Sequence, residues 1–239
     1  MLEIKNLTKN FGGFTALSDI NLYVDSGERF GLIGPNGSGK TTLINCVSGA
    51  IQDYEGEVLF NGESLNSLVA HKRARKGISR SFQIPKPFNS MTVRQNLMIP
   101  LEYAVQEETL SPNNLEREAG QIIENMELHE IADQFPANLT QIDMRKLELA
   151  RAMAAKPKLL IADEAMAGLS SSEVDDILEI LFSLNEKSNI TIIMIEHIMR
   201  AVMSFSERVV CLDAGEVIAN STPEDVVKVP AVEKAYLGE

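Results

Sequence analysis

Alternating apolar and polar positions predict strands in the first third of the chain. Apolar residues alternate through 2–7 and again through 20–24, a period of two that is typical of half-buried strands. Gly12-Gly13 lies between the two segments and predicts a turn. Residues 56–63 contain the Asn-Gly pair of a tight hairpin. Antiparallel strands are therefore expected in this part of the chain.

Nearly continuous apolar runs predict three buried strands further along. They occupy residues 30–33, residues 159–164, where the apolar run ends in two carboxylates, and residues 190–196. A last hairpin is expected at 209–218, across the turn at 213–215.

Apolar spacings of three to four and capping residues predict the helices. They are expected at 42–47, from Thr92 to about 106, near 114–128, from Thr140 through Met153, from Ser170, and as a short helix from Pro223. A cluster of basic side chains between 71 and 80 predicts a solvated helix face. These residues are Lys72, Arg73, Arg75, Lys76 and Arg80.

Residues 34–42 carry the most specific chemical motif of the sequence. Gly34-Pro35-Asn36-Gly37-Ser38-Gly39-Lys40-Thr41-Thr42 fits G-x-x-x-x-G-K-[ST], the phosphate-binding loop, between a predicted strand and a predicted helix. The glycines let several backbone N–H groups point at one anion, and the helix N-terminus adds partial positive charge. Lys40 would reach the outer phosphates, and the Thr41 hydroxyl would ligate Mg²⁺. A glycine-rich turn is the simpler alternative, but both flanks favour a nucleoside triphosphate site.

Two carboxylates and a histidine stand at the carboxyl ends of predicted buried strands. Asp163 and Glu164 follow the run at 159–162, and His197 follows the run at 190–195. Open α/β sheets bind ligands at the carboxyl ends of their strands. In a phosphate-loop protein the first acid holds Mg²⁺ through water, and the second orients or deprotonates the attacking water. A strand that simply meets a solvated loop is the alternative.

Gln83 and Phe11 each have two interpretations. Gln83 lies beside a proline-stiffened segment, where its amide could ligate a metal and sense the γ-phosphate or be an ordinary surface group. Phe11 lies beside the Gly12-Gly13 turn, where it could stack on a nucleotide base or fill its own hairpin. The sequence alone leaves both choices open.

Composition limits the classes of protein and partner. The 239 residues are 44% hydrophobic and 23% charged, as expected of one well-cored domain. No run reaches the roughly 18 apolar residues of a membrane span, and residues 1–5 lack the apolar core of a secretory signal, so any membrane role is expected to be peripheral. A net charge of −12 argues against nucleic acid as a partner. Cys46 and Cys211 lie in apolar segments and are expected to be buried thiols of a reducing cytoplasm.

Acidic residues are concentrated between 100 and 144. This stretch has ten Asp or Glu and one Arg, hence −9 of the total −12. The imbalance predicts a helical subdomain with its own surface, which should avoid anionic lipid head groups. Simple solvation is the alternative.

Five features follow one another along the chain: the loop at 34–42, Gln83, a capped helix, Asp163-Glu164 and His197. In this order they resemble those of an ABC transporter ATP-binding subunit, and the resemblance covers essentially the whole chain. Four segments resemble the branched-chain amino acid (Liv-type) uptake group. They are Arg80-Ser81-Phe82-Gln83, residues 91–97, residues 147–152, and the ending at 222–226 with 235–239. The resemblance implies an α/β fold with a P-loop NTPase core (ABC ATPase). It also implies a single domain of 1–239 that includes an N-terminal antiparallel β subdomain and an inserted α-helical subdomain at approximately 86–156.

The resemblance also implies roles for individual residues. Phe11 becomes the adenine-stacking aromatic, Gln83 the link between Mg²⁺ and the permease, Asp163 the metal-side acid, Glu164 the catalytic base and His197 the switch at the γ-phosphate. ATP and Mg²⁺ are the implied cofactors, with metal contacts from Thr41, Gln83 and Asp163. The implied nucleotide contacts are Phe11, Gly34, Pro35, Asn36, Gly37, Ser38, Gly39, Lys40, Thr41 and Thr42, with Thr140, Gln141, Ile142 and Asp143 facing the nucleotide of a second subunit.

Three departures from the family pattern bear on activity. The family signature is Leu-Ser-Gly-Gly-Gln, whereas residues 139–143 are Leu-Thr-Gln-Ile-Asp. Ile142 places a side chain where backbone should approach phosphate, and Asp143 brings a negative charge there. Ala165 replaces the proline that follows the catalytic glutamate, a change expected to matter little. Ser170 replaces an acid of the loop that crosses the dimer interface, a change that bears on coupling between the two sites.

The resemblance implies a peripheral ATPase at the cytoplasmic face of the cell membrane. It would hydrolyse MgATP to drive uptake of a small polar solute, branched-chain amino acids foremost. The implied partners are transmembrane permease subunits, a second ATP-binding subunit (identical or a paralogue) and, indirectly, an extracytoplasmic solute-binding protein. The alternatives are a soluble ABC ATPase, a non-hydrolysing regulatory cassette, and the ATPase of lipopolysaccharide export or urea uptake.

Overall fold

The alternating segments at the beginning of the chain form a four-stranded antiparallel sheet. The computed structural model describes residues 1–81, 85–103 and 111–237. The strand order is β2 (Phe14–Val24), β1 (Leu2–Phe11), β4 (Glu55–Phe60) and β5 (Glu63–Ser64). Asn61 and Gly62 both have positive φ in the β4–β5 turn, as the Asn-Gly pair predicts.

The continuous apolar runs form the centre of a second, six-stranded sheet. Its order is β10 (Glu216–Ser221), β9 (Arg208–Asp213), β3 (Arg29–Ile33), β8 (Thr191–Ile195), β7 (Leu159–Asp163) and β6 (Ile78–Ser81). The strands from β9 to β6 pair in parallel, and β10 pairs antiparallel to β9. Every residue of β7 and β8 is buried, which explains why these strands are apolar on both faces. The carboxyl ends of β3, β7 and β8 consequently lie at one edge.

Nine α-helices occur in the described part of the chain. They are α1 (Lys40–Ser48), α2 (Ala70–Arg75), α3 (Val93–Tyr103), α4 (Pro112–Asn125), α5 (Gln141–Ala154), α6 (Ser171–Ser188), α7 (Met199–Phe205), α8 (Pro223–Val226) and α9 (Pro230–Leu237). α3, α4 and α5 pack on one another and join the same apolar core as α6. Capping boxes start α5 at Thr140 and α6 at Ser170, as predicted.

The basic segment differs from its predicted solvated helix face. α2 ends at Arg75, and Arg80 lies in β6 instead. Arg73 is 0% exposed, because its guanidinium donates to backbone carbonyls at the end of α1. The prediction was wrong for these two residues because tertiary contacts, not solvent, satisfy their charges.

Two helix boundaries also differ from the predictions. The helix expected from Thr92 to about 106 is described only as far as Tyr103, and the remainder falls outside the described residues. α4 begins at Pro112, two residues before the expected start near 114. It ends at Asn125, three residues before the expected end near 128. Ser111 accepts a hydrogen bond from the Asn114 N–H, so the side-chain cap and the proline together set the earlier start.

The two cysteines are free thiols and are buried, as predicted. Burial raises the pKa of both Cys46 and Cys211 to about 11. Within the three described ranges, no helix combines the length and hydropathy that crossing a membrane requires.

Candidate functional site

The loop at 34–39 connects β3 to α1 and packs tightly against its neighbours. A Cβ at Gly34 would lie 2.2 Å from the Leu212 carbonyl oxygen, and one at Gly39 would lie 2.8 Å from the Ala16 carbonyl oxygen. Both residues also have positive φ, 148° and 105°. Glycine is therefore required at these positions by space as well as by backbone conformation. The Gly215 N–H donates to the Ser38 carbonyl at 3.0 Å, so the β9–β10 turn braces the loop.

Lys40, the first residue of α1, folds back over this loop. Its Nζ donates to the Gly34 carbonyl at 2.6 Å and to the Pro35 carbonyl at 2.9 Å, and the residue is 7% exposed. Burial lowers the pKa of Lys40, while Glu164, Cys211 and Asp163 act in the opposite direction. The loop thus presents one cation and a helix N-terminus at the same place, a combination that suits a polyanion.

Glu164 and His197 meet at the edge formed by β7 and β8. The Glu164 Oε1 and the His197 Nε2 are 3.1 Å apart. The Glu164 N–H donates to the Ile195 carbonyl at 2.8 Å, which ties the residue after β7 to the end of β8. The expected proximity of these two side chains is therefore observed.

Asp163 is paired with Arg80 in this structure. Arg80 donates to Asp163 Oδ2 from Nη2 at 2.5 Å and from Nε at 3.2 Å, and its Nη1 donates to Asn45 Oδ1 at 2.6 Å. Asp163 is 6% exposed, so this is a buried, charge-assisted pair that joins β6, β7 and α1. No local sequence pattern predicts Arg80 as a neighbour of the acid.

One cleft brings most of the predicted nucleotide-site residues together. Its lining consists of Phe11, Phe14, Ala16, Asn36, Gly37, Ser38, Gly39, Lys40, Thr41, Thr42, Glu164 and His197. Gly34 and Pro35 lie beneath Lys40, and Asp163 adjoins Glu164 in the chain. Gln83 lies outside the described residues.

Two aromatic side chains stand at the mouth of this cleft. Phe11 and Phe14 face each other across the β1–β2 turn and are 48% and 64% exposed. Phe11 therefore does not fill its own hairpin, and the Lys9 ammonium lies 4.9 Å from the centre of its ring. Phe14 was not singled out from the sequence, although its position on the other side of the Gly12-Gly13 turn is a signal that could have identified it.

The structure does not bring Thr140, Gln141, Ile142 and Asp143 into this cleft. They form the start of α5, where the Asp143 carboxylate accepts from the Thr140 hydroxyl at 2.5 Å. Ile142 packs against the apolar core, and the Gln141 side-chain amide lies 3.3 Å from the Ala167 carbonyl. These residues can contact a nucleotide only if it is held by another subunit.

Glu196 is a buried acid beside the site, and its role is not predicted from the sequence. It is 3% exposed and accepts the Met166 N–H at 2.9 Å, which anchors the segment that follows Glu164. Burial raises the pKa of Glu196 to about 7, and the neighbouring Glu164 acts in the same direction.

Comparison with known families and relatives agrees with this geometry. The profile of the ABC transporter family matches residues 17–167. The high-affinity branched-chain amino acid transport ATP-binding protein BraF of Pseudomonas aeruginosa is 38% identical over 255 residues, covering 100% of this chain and 98% of the relative. LivG of Escherichia coli K12, of the same description, is 36% identical with the same coverage. The lipopolysaccharide export system ATP-binding protein LptB of Haemophilus influenzae is 35% identical, again with that coverage.

Solved structures show the same fold. The ADP conformation of an ATP-binding cassette of an ABC transporter matches with a TM-score of 0.90 and 30% identity, covering 100% of this chain and 99% of that one. A dimeric cassette in a post-hydrolysis state, bound to ADP and Pi, matches with a TM-score of 0.84 and 27% identity over 93% of this chain and 99% of that one. The predicted fold class is confirmed, and the chain belongs to the ABC transporter family of ATP-binding cassettes, the ABC ATPases.

Proposed function

We propose that this chain is the ATP-binding subunit of an ABC importer and hydrolyses MgATP to drive uptake of a small polar solute. The observation that carries the proposal is the cleft in which the loop at 34–42 lies together with Glu164 and His197. The loop is suited to hold the phosphates, and the carboxylate beside it is suited to act at their outer end. Branched-chain amino acids are the proposed solutes, because that is the cargo named for the relatives from Pseudomonas aeruginosa and Escherichia coli.

The nucleotide is held by the loop, α1 and the two aromatic rings. Lys40 exchanges its contacts with the Gly34 and Pro35 carbonyls for the outer phosphates, and the first N–H groups of α1 receive the remaining charge. Phe11 and Phe14 are exposed at the mouth of the cleft, where an adenine ring can stack on one or both.

The available donor groups fit Mg²⁺. In the described residues no three His, Cys, Asp or Glu side chains are grouped closely enough to hold a metal ion by themselves. This ion is normally bound through one or two carboxylates, with substrate phosphates and waters completing an oxygen shell. The Thr41 hydroxyl and the Asp163 carboxylate would hold it, with Gln83 as the third proposed contact; Asp163 Oδ2 accepts from Arg80 in this structure, which leaves Oδ1 as the oxygen for the ion or its water. When bound, Mg²⁺ neutralises charge on the phosphates.

Glu164 is the proposed general base and His197 its neighbour at the γ-phosphate. The Glu164 carboxylate takes a proton from the attacking water. With the proton on Nε2, the His197 ring donates to Glu164 Oε1 across 3.1 Å and orients the carboxylate.

A second subunit completes the proposed assembly. Because the start of α5 does not reach the cleft of its own chain, Thr140–Asp143 are assigned to the nucleotide held by the partner. The dimeric relative bound to ADP and Pi is assembled from two cassettes, which supports this arrangement. The segment at 86–156 is proposed to act as the helical subdomain that contacts the permease at the cytoplasmic face of the membrane. A solute-binding protein would deliver the cargo on the other side.

Lipopolysaccharide export is the second candidate, since the Haemophilus influenzae relative of that description is 35% identical over the whole chain. The two functions differ in the membrane subunits and in the cargo they handle. Purification of the chain with its native membrane subunits, followed by identification of those subunits, distinguishes them.

Substitution of Lys40 tests the nucleotide site. Lys40→Ala should lower the affinity for MgATP at least tenfold, because each charge-assisted contact to a phosphate is worth roughly 1.5–3 kcal/mol. Lys187→Ala, at an exposed position of α6, is the matched control and should bind as the wild type does. Equilibrium titration with MgATP measures both. Equal affinity of Lys40→Ala and wild type would remove the loop from the proposed site.

A further inference from the structure

The last helix of the chain contacts the phosphate loop through a single hydroxyl group. The Gly34 N–H donates to the Tyr236 Oη at 2.8 Å, across 202 positions of sequence. Tyr236 lies in α9, far in the chain from every residue so far assigned to the nucleotide site. Partial burial raises the pKa of Tyr236, and a tyrosine hydroxyl is protonated at neutral pH even at its ordinary pKa of about 10, so the Gly34 N–H meets a neutral acceptor.

The Gly34 N–H depends on this contact because Gly34 is enclosed. The residue is buried, and its Cα packs so closely on β9 that a Cβ would lie 2.2 Å from the Leu212 carbonyl oxygen. A backbone N–H that is buried without an acceptor destabilises the conformation that buries it. Loss of the Tyr236 hydroxyl would therefore favour conformations in which the Gly34 peptide turns toward solvent.

The other side of Gly34 is held by the phosphate-binding lysine. Its carbonyl accepts from Lys40 Nζ at 2.6 Å. The proposed function requires the Lys40 ammonium to move from the Gly34 carbonyl to a phosphate. The Gly34 carbonyl then loses its hydrogen bond to Lys40, whereas the Gly34 N–H keeps its hydrogen bond to the Tyr236 hydroxyl. The hydroxyl is then the contact that keeps the start of the loop in place during nucleotide binding.

Docking of α9 does not require this hydroxyl. Val232 is 4% exposed and belongs to the apolar core, whereas Tyr236 is 43% exposed. The helix is thus anchored by an aliphatic side chain, and the tyrosine adds one polar contact to the loop. Its effect on the loop can therefore be separated from its effect on packing.

We propose that Tyr236 is a positioning residue of the nucleotide site, whose hydroxyl holds Gly34 so that the loop stays ready to bind phosphate. This inference rests on the proposed function, since it assumes that the loop at 34–42 binds MgATP. Through this hydroxyl, α9 contributes to nucleotide affinity as well as to the packing of the fold.

Three variants of the chain test this role. Tyr236→Phe keeps the ring and removes the hydroxyl, Tyr236→Ala removes both, and Tyr23→Phe removes an exposed hydroxyl from β2 as a matched control. MgATP and MgADP are titrated at equilibrium, and turnover is measured at limiting and saturating ATP. Thermal unfolding is followed for each variant.

The hydroxyl role predicts that Phe and Ala at position 236 weaken MgATP binding to a similar extent. We expect a rise in Kd of about five- to tenfold, the range for one lost hydrogen bond, with KM rising alike and kcat changing less than about twofold. Tyr23→Phe should keep the wild-type affinity. Wild-type affinity in Tyr236→Phe overturns the proposal, even if Tyr236→Ala binds weakly, because the loss would then come from packing.

Amide exchange of Gly34 in the wild-type protein gives an independent measurement. Slow exchange in the wild type that becomes fast in Tyr236→Phe supports the hydrogen bond from the Gly34 N–H to the Tyr236 hydroxyl. Fast exchange already in the wild type overturns the proposal without any variant. The failure of the proposed function is distinguishable, because the wild-type chain itself would then show no affinity for MgATP.

Discussion

Glu164 has a backbone conformation that is unusual for a residue with a side chain. Its φ is 50°, in the left-handed region, while its N–H is held by the Ile195 carbonyl at 2.8 Å. A non-glycine residue in this region costs on the order of 1 kcal/mol and persists where the surrounding structure determines it. Here the two adjacent parallel strands hold the residue, and its carboxylate consequently faces the cleft beside His197.

Glu164→Gln should retain MgATP binding and reduce turnover by about a hundredfold or more, because an amide keeps the shape but takes no proton from water. ATP hydrolysis and nucleotide affinity are measured on the same preparation. Glu130→Gln, at an exposed position, is the control and should hydrolyse at the wild-type rate. Hydrolysis by Glu164→Gln at that rate would transfer the role of base to His197.

Glu196 links stability to pH through its burial. Burial raises its pKa from 4.5 to about 7, so between these values the folded chain binds a proton more tightly than the unfolded chain does. The contribution of this group to the free energy of unfolding therefore falls as the pH rises through that window, by at most about 3 kcal/mol.

Glu196→Gln should remove this pH dependence and keep an acceptor oxygen for the Met166 N–H. Relative to the wild type, its free energy of unfolding should increase by about 1–3 kcal/mol between pH 5 and pH 8. Urea unfolding at both pH values measures the difference, with the exposed Glu179→Gln as control. A difference from wild type that stays constant across this range would contradict the assignment.

At the scale of elements, α1 ends on a buried guanidinium instead of a solvated turn. Arg73 donates to the Cys46 and Val47 carbonyls at 2.5 and 3.0 Å and to the Leu68 carbonyl at 2.8 Å. The last carbonyls of a helix need partners from outside it, and Arg73 of α2 supplies them. The helix that begins at the phosphate loop is therefore tied at its other end to α2.

Arg73→Met should lower the free energy of unfolding by about 3 kcal/mol, because it leaves buried carbonyls without charged donors. Arg75→Met, on the exposed side of the same short helix, should change it by less than about 0.5 kcal/mol. Urea denaturation of both variants gives the comparison. Equal stability of the two would mean that solvent reaches the end of α1.

At the scale of the whole molecule, the variant signature concerns an assembly and not a single chain. Asp143 is the N3 residue of a capping box and bonds Thr140, so part of its charge is satisfied within its own helix start. A glutamine at position 143 could form the same capping box without the charge. The Ile142 side chain occupies space that the backbone at the start of α5 would need in order to approach a phosphate. In the proposed dimer, the Ile142 side chain and the charge that Asp143 retains should weaken the partner's nucleotide site and leave the loop at 34–42 intact.

Ile142→Gly combined with Asp143→Gln should raise ATP turnover of the purified chain on the order of tenfold, through better stabilisation of charge at the site between subunits. Each single substitution is assayed beside the pair. An increase would favour a native partner with an ordinary signature, that is, a paralogue. Unchanged or lower turnover in a variant that unfolds at the wild-type temperature would mean that the Leu-Thr-Gln-Ile-Asp signature works as it stands, whereas a lower unfolding temperature would report the loss of the Ile142 packing.

Features that depend on neighbouring residues were predictable from the sequence of this protein. The loop at 34–42 and the capping boxes at Thr140 and Ser170 are defined by local backbone chemistry, and the structure shows each of them. The meeting of Glu164 and His197 was also predictable, because parallel strands place their carboxyl ends at one edge.

Contacts between distant segments were decided only by the tertiary structure. Arg73 and Cys46 are 27 positions apart, Arg80 and Asp163 are 83 apart, and Tyr236 and Gly34 are 202 apart. A charged side chain is on average exposed, so a run of basic residues predicts a solvated face. The burial of Arg73 and the pairing of Arg80 with Asp163 depend on which carbonyls and carboxylates the folded chain brings beside them, and no local pattern carries that information.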